Sequence, residues 1–204
     1  MVLMGWPANP DGSISEFPRD SMTGLEPVRI NASQYIANPT TKVSLGVNLP
    51  ATDSSSTSDG QSYTLPVEYY GNLGTSETLS FTFAPNVPAS GKSNSWTMTI
   101  TDSASGNAVV GEYTVTFDGS QAAGGRLASV TAISGGAYDP ETGSLDLALT
   151  GGNITLGLGK LGGKEGMTQL SSTFAPVSVS KDGSPVATLT SVEVDELGYL
   201  NAIY

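Results

Sequence analysis

The chain has 204 residues with no cysteine and no histidine, and its 19 acidic against 8 basic side chains give a net charge of −11. The missing residue types exclude disulfides, a thiolate nucleophile, a Ser-His triad and thiolate or imidazole zinc sites, and the acidic balance makes nucleic acid and anionic membrane surfaces poor partners. Charged residues are 13% of the chain, well under the roughly 25% of ordinary soluble domains, which disfavours a coiled coil and suits short strands joined by small-residue turns.

In chain order, MVLMGWPANPDG enters without a helix cap, and an Asn9-Pro10-Asp11-Gly12 turn follows. Alternation of apolar and polar residues then recurs over residues 43–48, 64–70, 78–83, 95–101, 113–117, 127–134, 144–150 and 187–196. In SWTMTIT, Trp96, Met98 and Ile100 share one face while Thr97, Thr99 and Thr101 share the other, the period-two signature of a half-buried strand. Between the runs stand turn signals, among them Tyr70-Gly71-Asn72, Asp118-Gly119-Ser120, Asp139-Pro140 and Lys181-Asp182-Gly183. Residues 52–60, TDSSSTSDG, carry no side chain large enough to anchor them and read as a mobile loop. Helical periodicity is hard to find, and no run approaches the 18 or so apolar residues of a membrane helix. The fold class is all-β, a sandwich or barrel with high turn content. The chain stops on LGYLNAIY, apolar residues where a strand should continue, so it reads as a piece of something longer.

Trp6, Trp96, Phe81 and Phe83 are assigned to the core. Tyr69, Tyr70 and Tyr113 are the candidates for an exposed aromatic face, since one of Tyr69 and Tyr70 must point outward from a strand. Residues 157–162, GLGKLG, satisfy G-x-G-x-x-G, the spacing that brings backbone amides against a pyrophosphate. That mechanism needs a helix opening from the last glycine, whereas GKEGMTQLSSTFAP lacks an apolar stripe and soon reaches Pro176. A P-loop fails as well, because Gly163 stands where lysine is required. The carboxylate pairs Asp139 with Glu141 and Asp195 with Glu196 sit beside turn residues, where acidic side chains cap amides or stay solvated. Residues 139–146, DPETGSLD, place oxygen ligands at alternate positions, but the glycine and terminal glutamate miss the calcium-loop pattern, leaving a plain β-turn. No catalytic, cofactor-binding or metal-binding residue is assigned, and no enzymatic activity is expected.

The two ends are more specific. VLMGWPANPDGSISEFPRDSMTGLEPVRI resembles the segment of bacterial flagellar hook proteins in which a Y-L-M-G-W strand leads through an Asp-Gly turn to an L-E-P-V-R-I strand. LTSVEVDELGYLNAIY resembles the family's V-x-x-D-x-x-G-x-L-x-A-x-Y return. Between them, NPTTKVSLGVNLPA, TLPVEYYGNLGTSETLSFTFAP and GMTQLSSTFAP are similar, in family order, to an N-L-x-A strand, the Y-D-x-L-G hairpin and an L-T-Q-F-A-S segment, with Tyr70 in place of the hairpin aspartate. The family's terminal heptad-like segments are not among these residues.

The resemblance implies a structural protein: a subunit of the flagellar hook, a helical tube that acts as a universal joint, transmitting torque from motor to filament and bending through sliding contacts between subunits. It implies an outer β-domain over residues 31–184, inserted into a partial inner domain made of residues 1–30 and 185–204. It also implies self-association in the full-length protein, hook-cap and hook-filament junction partners, and an extracellular location reached without a cleaved signal peptide. The 204 residues by themselves are expected to be monomeric. Asp182-Gly183-Ser184-Pro185 is expected as a hinge, since Gly183 permits positive φ and Pro185 biases Ser184 toward extended geometry. The alternative reading is a secreted β-sandwich adhesin or glycan-binding module.

Overall fold

A strand with small polar residues on one side and large apolar ones on the other is stable only when a second layer covers its apolar side. The computed structural model, which describes residues 3–7, 20, 22–28, 35–196 and 200–203, meets that demand with a five-stranded and a six-stranded sheet, beside three two-stranded ones. Its strands in chain order are β1 (Met4–Gly5), β2 (Glu26–Pro27), β3 (Tyr35–Asn38), β4 (Lys42–Leu49), β5 (Tyr63–Tyr70), β6 (Ser76–Pro85), β7 (Ser95–Asp102), β8 (Ala108–Phe117) and β9 (Leu127–Ser134). There follow β10 (Tyr138–Asp139), β11 (Ser144–Leu147), β12 (Ile154–Gly157), β13 (Thr168–Gln169), β14 (Ala175–Lys181), β15 (Ser184–Thr188), β16 (Ser191–Val194) and β17 (Leu200–Ile203). The described residues contain no α-helix, only a 3-10 turn at Ser103–Ser105. The class is all-β, as the alternation in the sequence requires.

The chain divides into two compact units, Ile36–Ala187 and the pair Met1–Tyr35 with Thr188–Tyr204. In the first unit, β5, β6, β7, β8 and β9 form an antiparallel meander. The second sheet is built around β4, with β10, β11 and β12 in succession on one side. Strand β4 carries β12 against Lys42–Ser44 and β13 against Asn48–Leu49, both parallel, and β14 antiparallel along nearly its whole length. Because β14 takes one edge of β4, β12 and β13 must share the other, and residues 158–167 are an excursion between two short strands running the same way.

The core lies between the sheets. Val43, Leu45, Val47 and Leu49 of β4 meet Leu79, Phe81, Phe83, Trp96, Met98, Ile100, Val115 and Phe117 in one continuous buried cluster. Trp96, Phe81 and Phe83 are buried, as their sequence assignment requires, while Trp6 lies in the other unit, half-buried, with its indole N–H donating to the Thr23 carbonyl at 3.2 Å. Strands β5 and β14 run side by side at one flank of the sandwich without joining a common sheet. They are pinned at one end by the Tyr63 and Phe174 rings, stacked at 4.7 Å, and at the other by the Lys181–Glu68 ion pair at 2.9 Å. In the second unit, β1 pairs with β2 and β16 with β17, both antiparallel.

Three expectations need correction. Residues 52–60 are a stapled turn. Ser54 is fully buried and its hydroxyl accepts from Gln169 Nε2 at 2.7 Å, the Ser56 amide donates to Gly91 and the Ser93 amide to Ser54. Backbone and hydroxyl groups anchor the segment where no large side chain could. The run over 187–196 is split, with β15 ending at Thr188 and β16 starting at Ser191. Gly183 is not among the positive-φ glycines, and its role is close approach: a Cβ there would lie 2.7 Å from the Thr40 nitrogen and 2.8 Å from its Cα.

Candidate functional site

The glycine loop was the strongest motif for chemistry, and five of its amides are paired within the fold. The Leu158 and Gly159 N–H groups both donate to the Gly143 carbonyl, at 2.9 and 3.1 Å. Gly162 donates to Leu127 at 2.7 Å, Gly163 to Lys160 at 2.9 Å, and Met167 closes the neck by donating to Leu158 at 2.9 Å. No helix follows among the described residues to supply the dipole that a dinucleotide loop uses. Glycine is required because Gly159 and Gly166 sit at φ of 97° and 91° and pack on one another: a Cβ on Gly159 would come within 3.0 Å of the Gly166 Cα.

The acidic pairs are equally committed. The Asp139 carboxylate accepts from the Glu141 amide and the Thr142 hydroxyl, both at 2.9 Å, and these bonds hold its pKa below the ordinary carboxylate value. A carboxyl kept ionised in a turn is a poor general acid. Glu141 is exposed, and Asp146 accepts from the Thr155 hydroxyl at 2.8 Å, across to the neighbouring strand. Asp195 and Glu196 are exposed in the other unit. Among the described residues no three His, Cys, Asp or Glu side chains converge on a point where a metal could sit.

Two of the three candidate tyrosines are buried instead of exposed. Tyr69 is 1% exposed and donates its hydroxyl to the fully buried Asp102 at 2.8 Å. Burial, and then the Asp102 contact, push its pKa upward. The same carboxylate accepts from the Ala104 amide and the Ser105 hydroxyl, capping the 3-10 turn. Tyr113 is also buried, and donates to the Gly136 carbonyl at 3.1 Å. The period-two argument placed one of Tyr69 and Tyr70 outward, and Tyr70 is that one. Lys181 Nζ lies 4.3 Å from its ring centroid, and its hydroxyl donates to Glu68 at 3.0 Å. Single-sequence reasoning missed the Asp102 cluster, because an aspartate at the end of SWTMTITD looks like the start of a solvated turn.

Two open concavities lie among the described residues. One is a polar depression of about 440 Å³ bordered by Asp53, Asp59, Gln61 and Lys92. At its margin Asp53 accepts from the Tyr63 hydroxyl at 2.6 Å, and this bond pushes the Tyr63 pKa up to about 12. The other is an apolar groove of about 390 Å³ between β5 and β14, bordered by Leu65, Val67, Pro176 and Val179. Neither holds an activated nucleophile or an acid–base pair.

A family model described as the flagellar basal body protein FlaE D2 domain matches residues 36–184. Among solved structures, the chain is similar to the Helicobacter pylori flagellar hook protein FlgE2, with 17% sequence identity and a TM-score of 0.42 over 69% of this chain. The chain spans only 29% of the length of that hook protein. No curated protein sequence matched the chain. With the family model covering most of its length and a two-sheet, all-β body over the same residues, the chain belongs to the flagellar hook protein family.

Proposed function

We propose that this protein is a structural subunit of the bacterial flagellar hook, and that its work is packing and not catalysis. The observation that carries the reading is the family match over residues 36–184, which coincides with a sandwich whose polar groups are consumed in holding the fold. Residues 31–184 serve as the outer domain, and residues 1–30 with 185–204 as part of an inner one. Identical subunits joined by heterologous contacts generate an open helical tube. Such a tube resists twist and bends where contacts between outer domains slide, which is what a universal joint between motor and filament requires. Partners are further copies of the chain, with hook-cap and hook-filament junction proteins at the ends, and the location is outside the cell, reached without a cleaved signal peptide.

Imaging of basal bodies from cells that make the full-length parent tests the reading. Curved hooks that disappear when the parent gene is deleted are the expected result, and hooks that persist without it would overturn the assignment. The 204-residue chain itself is expected to sediment as a monomer at micromolar concentration in physiological salt, because its net charge of −11 opposes casual association. A dimer as the main species would contradict this.

A further inference from the structure

We propose that the polar depression beside the turn 52–60 is a binding site for one ring of a neutral saccharide, a role beyond the hook-subunit reading and independent of it. The depression has a volume of about 440 Å³, inside the range of roughly 300–1,000 Å³ that small-ligand sites occupy. Every side chain on its wall is polar, among them Asp53, Thr57, Ser58, Asp59, Gln61 and Lys92. The fold does not consume all of these groups: among the described residues the side chains of Asp59, Gln61 and Lys92 have no partner. Lys92 lines the same concavity as two carboxylates, yet the single ion pair among the described residues is Lys181–Glu68. Opposite charges therefore face a common space without closing it. The frame beneath them is fixed by the bridge between Ser55 and Lys92, by the Ser56 amide on the Gly91 carbonyl at 2.9 Å, and by the Tyr63 hydroxyl on Asp53 at 2.6 Å, so little ordering is left for a ligand to impose.

The class of ligand follows from the chemistry of the wall. An apolar peptide or a lipid would find no apolar side chain on it. A phosphate would meet two carboxylates for one ammonium. A metal ion would find two carboxylates where three acidic or imidazole side chains never converge among the described residues. A zwitterion could pair with both signs, but ion pairs this exposed to water contribute little. A pyranose ring matches the wall group by group, because each hydroxyl both donates and accepts. Neighbouring hydroxyls can donate to the Asp53 and Asp59 oxygens, which only accept, and accept from the Lys92 ammonium, which only donates, while the Gln61 amide does both. The site is open on one side and covers only part of such a ring, so the expected dissociation constant is about 1 mM.

The test is the amide spectrum of the ¹⁵N-labelled 204-residue chain, titrated to tens of millimolar with the methyl glycosides of glucose, mannose, galactose and N-acetylglucosamine, and with lactose and maltose. At least one of these is expected to give saturable shifts centred on Asp59, Gln61 and Lys92. Shifts with a disaccharide mean a ring at the end of a glycan chain, shifts with the methyl glycosides alone mean a free sugar, and either supports the site. Asp59→Ala and Lys92→Ala should each weaken binding about tenfold, the loss of one hydrogen bond to a charged group, with melting temperatures near that of the wild type because neither side chain holds the fold. No saturable shift with any of the six sugars, shifts centred elsewhere, or equal binding in both variants would overturn the proposal. So would calcium chloride or alanine moving these amides when no sugar does, since the site would then belong to a cation or a zwitterion.

Discussion

At the scale of single residues, Gly183 shows how a turn signal can conceal a clamp. The Asp182 carboxylate beside it accepts from the Thr41 and Lys42 amides at 2.8 and 2.9 Å and from the Thr41 hydroxyl at 2.6 Å. Thr40, against which Gly183 packs, is buried and exchanges hydrogen bonds with the Tyr70 backbone. Gly183→Val therefore pushes a side chain into backbone that is held from both sides. It is expected to destabilise the sandwich by about 1–3 kcal/mol, the range of an overpacked site, in urea unfolding monitored by tryptophan fluorescence; an unchanged midpoint would show that the segments at Thr40 and Gly183 can separate there at no cost. Tyr69→Phe tests the other buried constellation. Removing the hydroxyl takes one of three donors from the buried Asp102 carboxylate, whose Ala104 and Ser105 bonds remain. The expected loss is about 1–3 kcal/mol, with spectra showing a native fold, and a loss below half a kcal/mol, a value that is roughly the floor for a made hydrogen bond, would mean that the carboxylate is otherwise satisfied.

Among the elements, β14 is the instructive one. Its flanking contact with β5 depends on Glu68, whose pKa is lowered from 4.5 to about 2 by the Ser76 hydroxyl first, then by Lys181 and Tyr70. The Asp182 carboxyl that follows β14 is lowered too: burial works against its charge, but the bonds from Thr41 and Lys42 outweigh it. A group whose folded pKa is depressed binds its proton more readily in the unfolded chain, so stability rises with pH across the interval between the two values. The melting temperature is thus expected to be level above about pH 5 and to fall from about 4.5 towards 2, with a shallower fall in Glu68→Gln. Equal slopes in the two proteins would remove Glu68 from the account. Strands β4 to β8 were legible in the sequence because long period-two alternation coincided with burial, as in β7, where Trp96, Met98 and Ile100 are buried between half-buried Thr97 and Thr99; β9 has the expected bounds, 127–134, although only Leu127 of it is buried. Strand β14 was not: Val177 and Val179 face outward, 71% and 40% exposed, so its alternation points its apolar side away from the core. Strands β12 and β13 are four and two residues long and acquire meaning only through parallel pairing with β4, a partner more than a hundred residues earlier. The glycine loop was legible as turn geometry, whereas the Asp102 cluster depends on a contact with β5 that no local pattern announces.

For the whole molecule, the distribution of the core decides what can be cut away. Every fully buried apolar side chain among the described residues lies between Val43 and Met167, within the unit Ile36–Ala187. That unit holds both sheets, the β5–β14 pins and the Asp182 clamp, and a body of its length buries about two thirds of its unfolded surface. Residues 36–187 expressed alone are therefore expected to melt in a single cooperative transition, with a midpoint within a few degrees of the 204-residue chain, since 1 kcal/mol corresponds to about 2–4 °C at this size. Their amide spectrum should superimpose on that of the full chain except near the two cut ends. A broad, non-cooperative melt would show that the flanking residues contribute to the sandwich core. A sharp melt displaced downward by more than about 10 °C, several kcal/mol at this size, would show that the paired strands β3 and β15, where both cuts fall, need the flanking residues to remain docked.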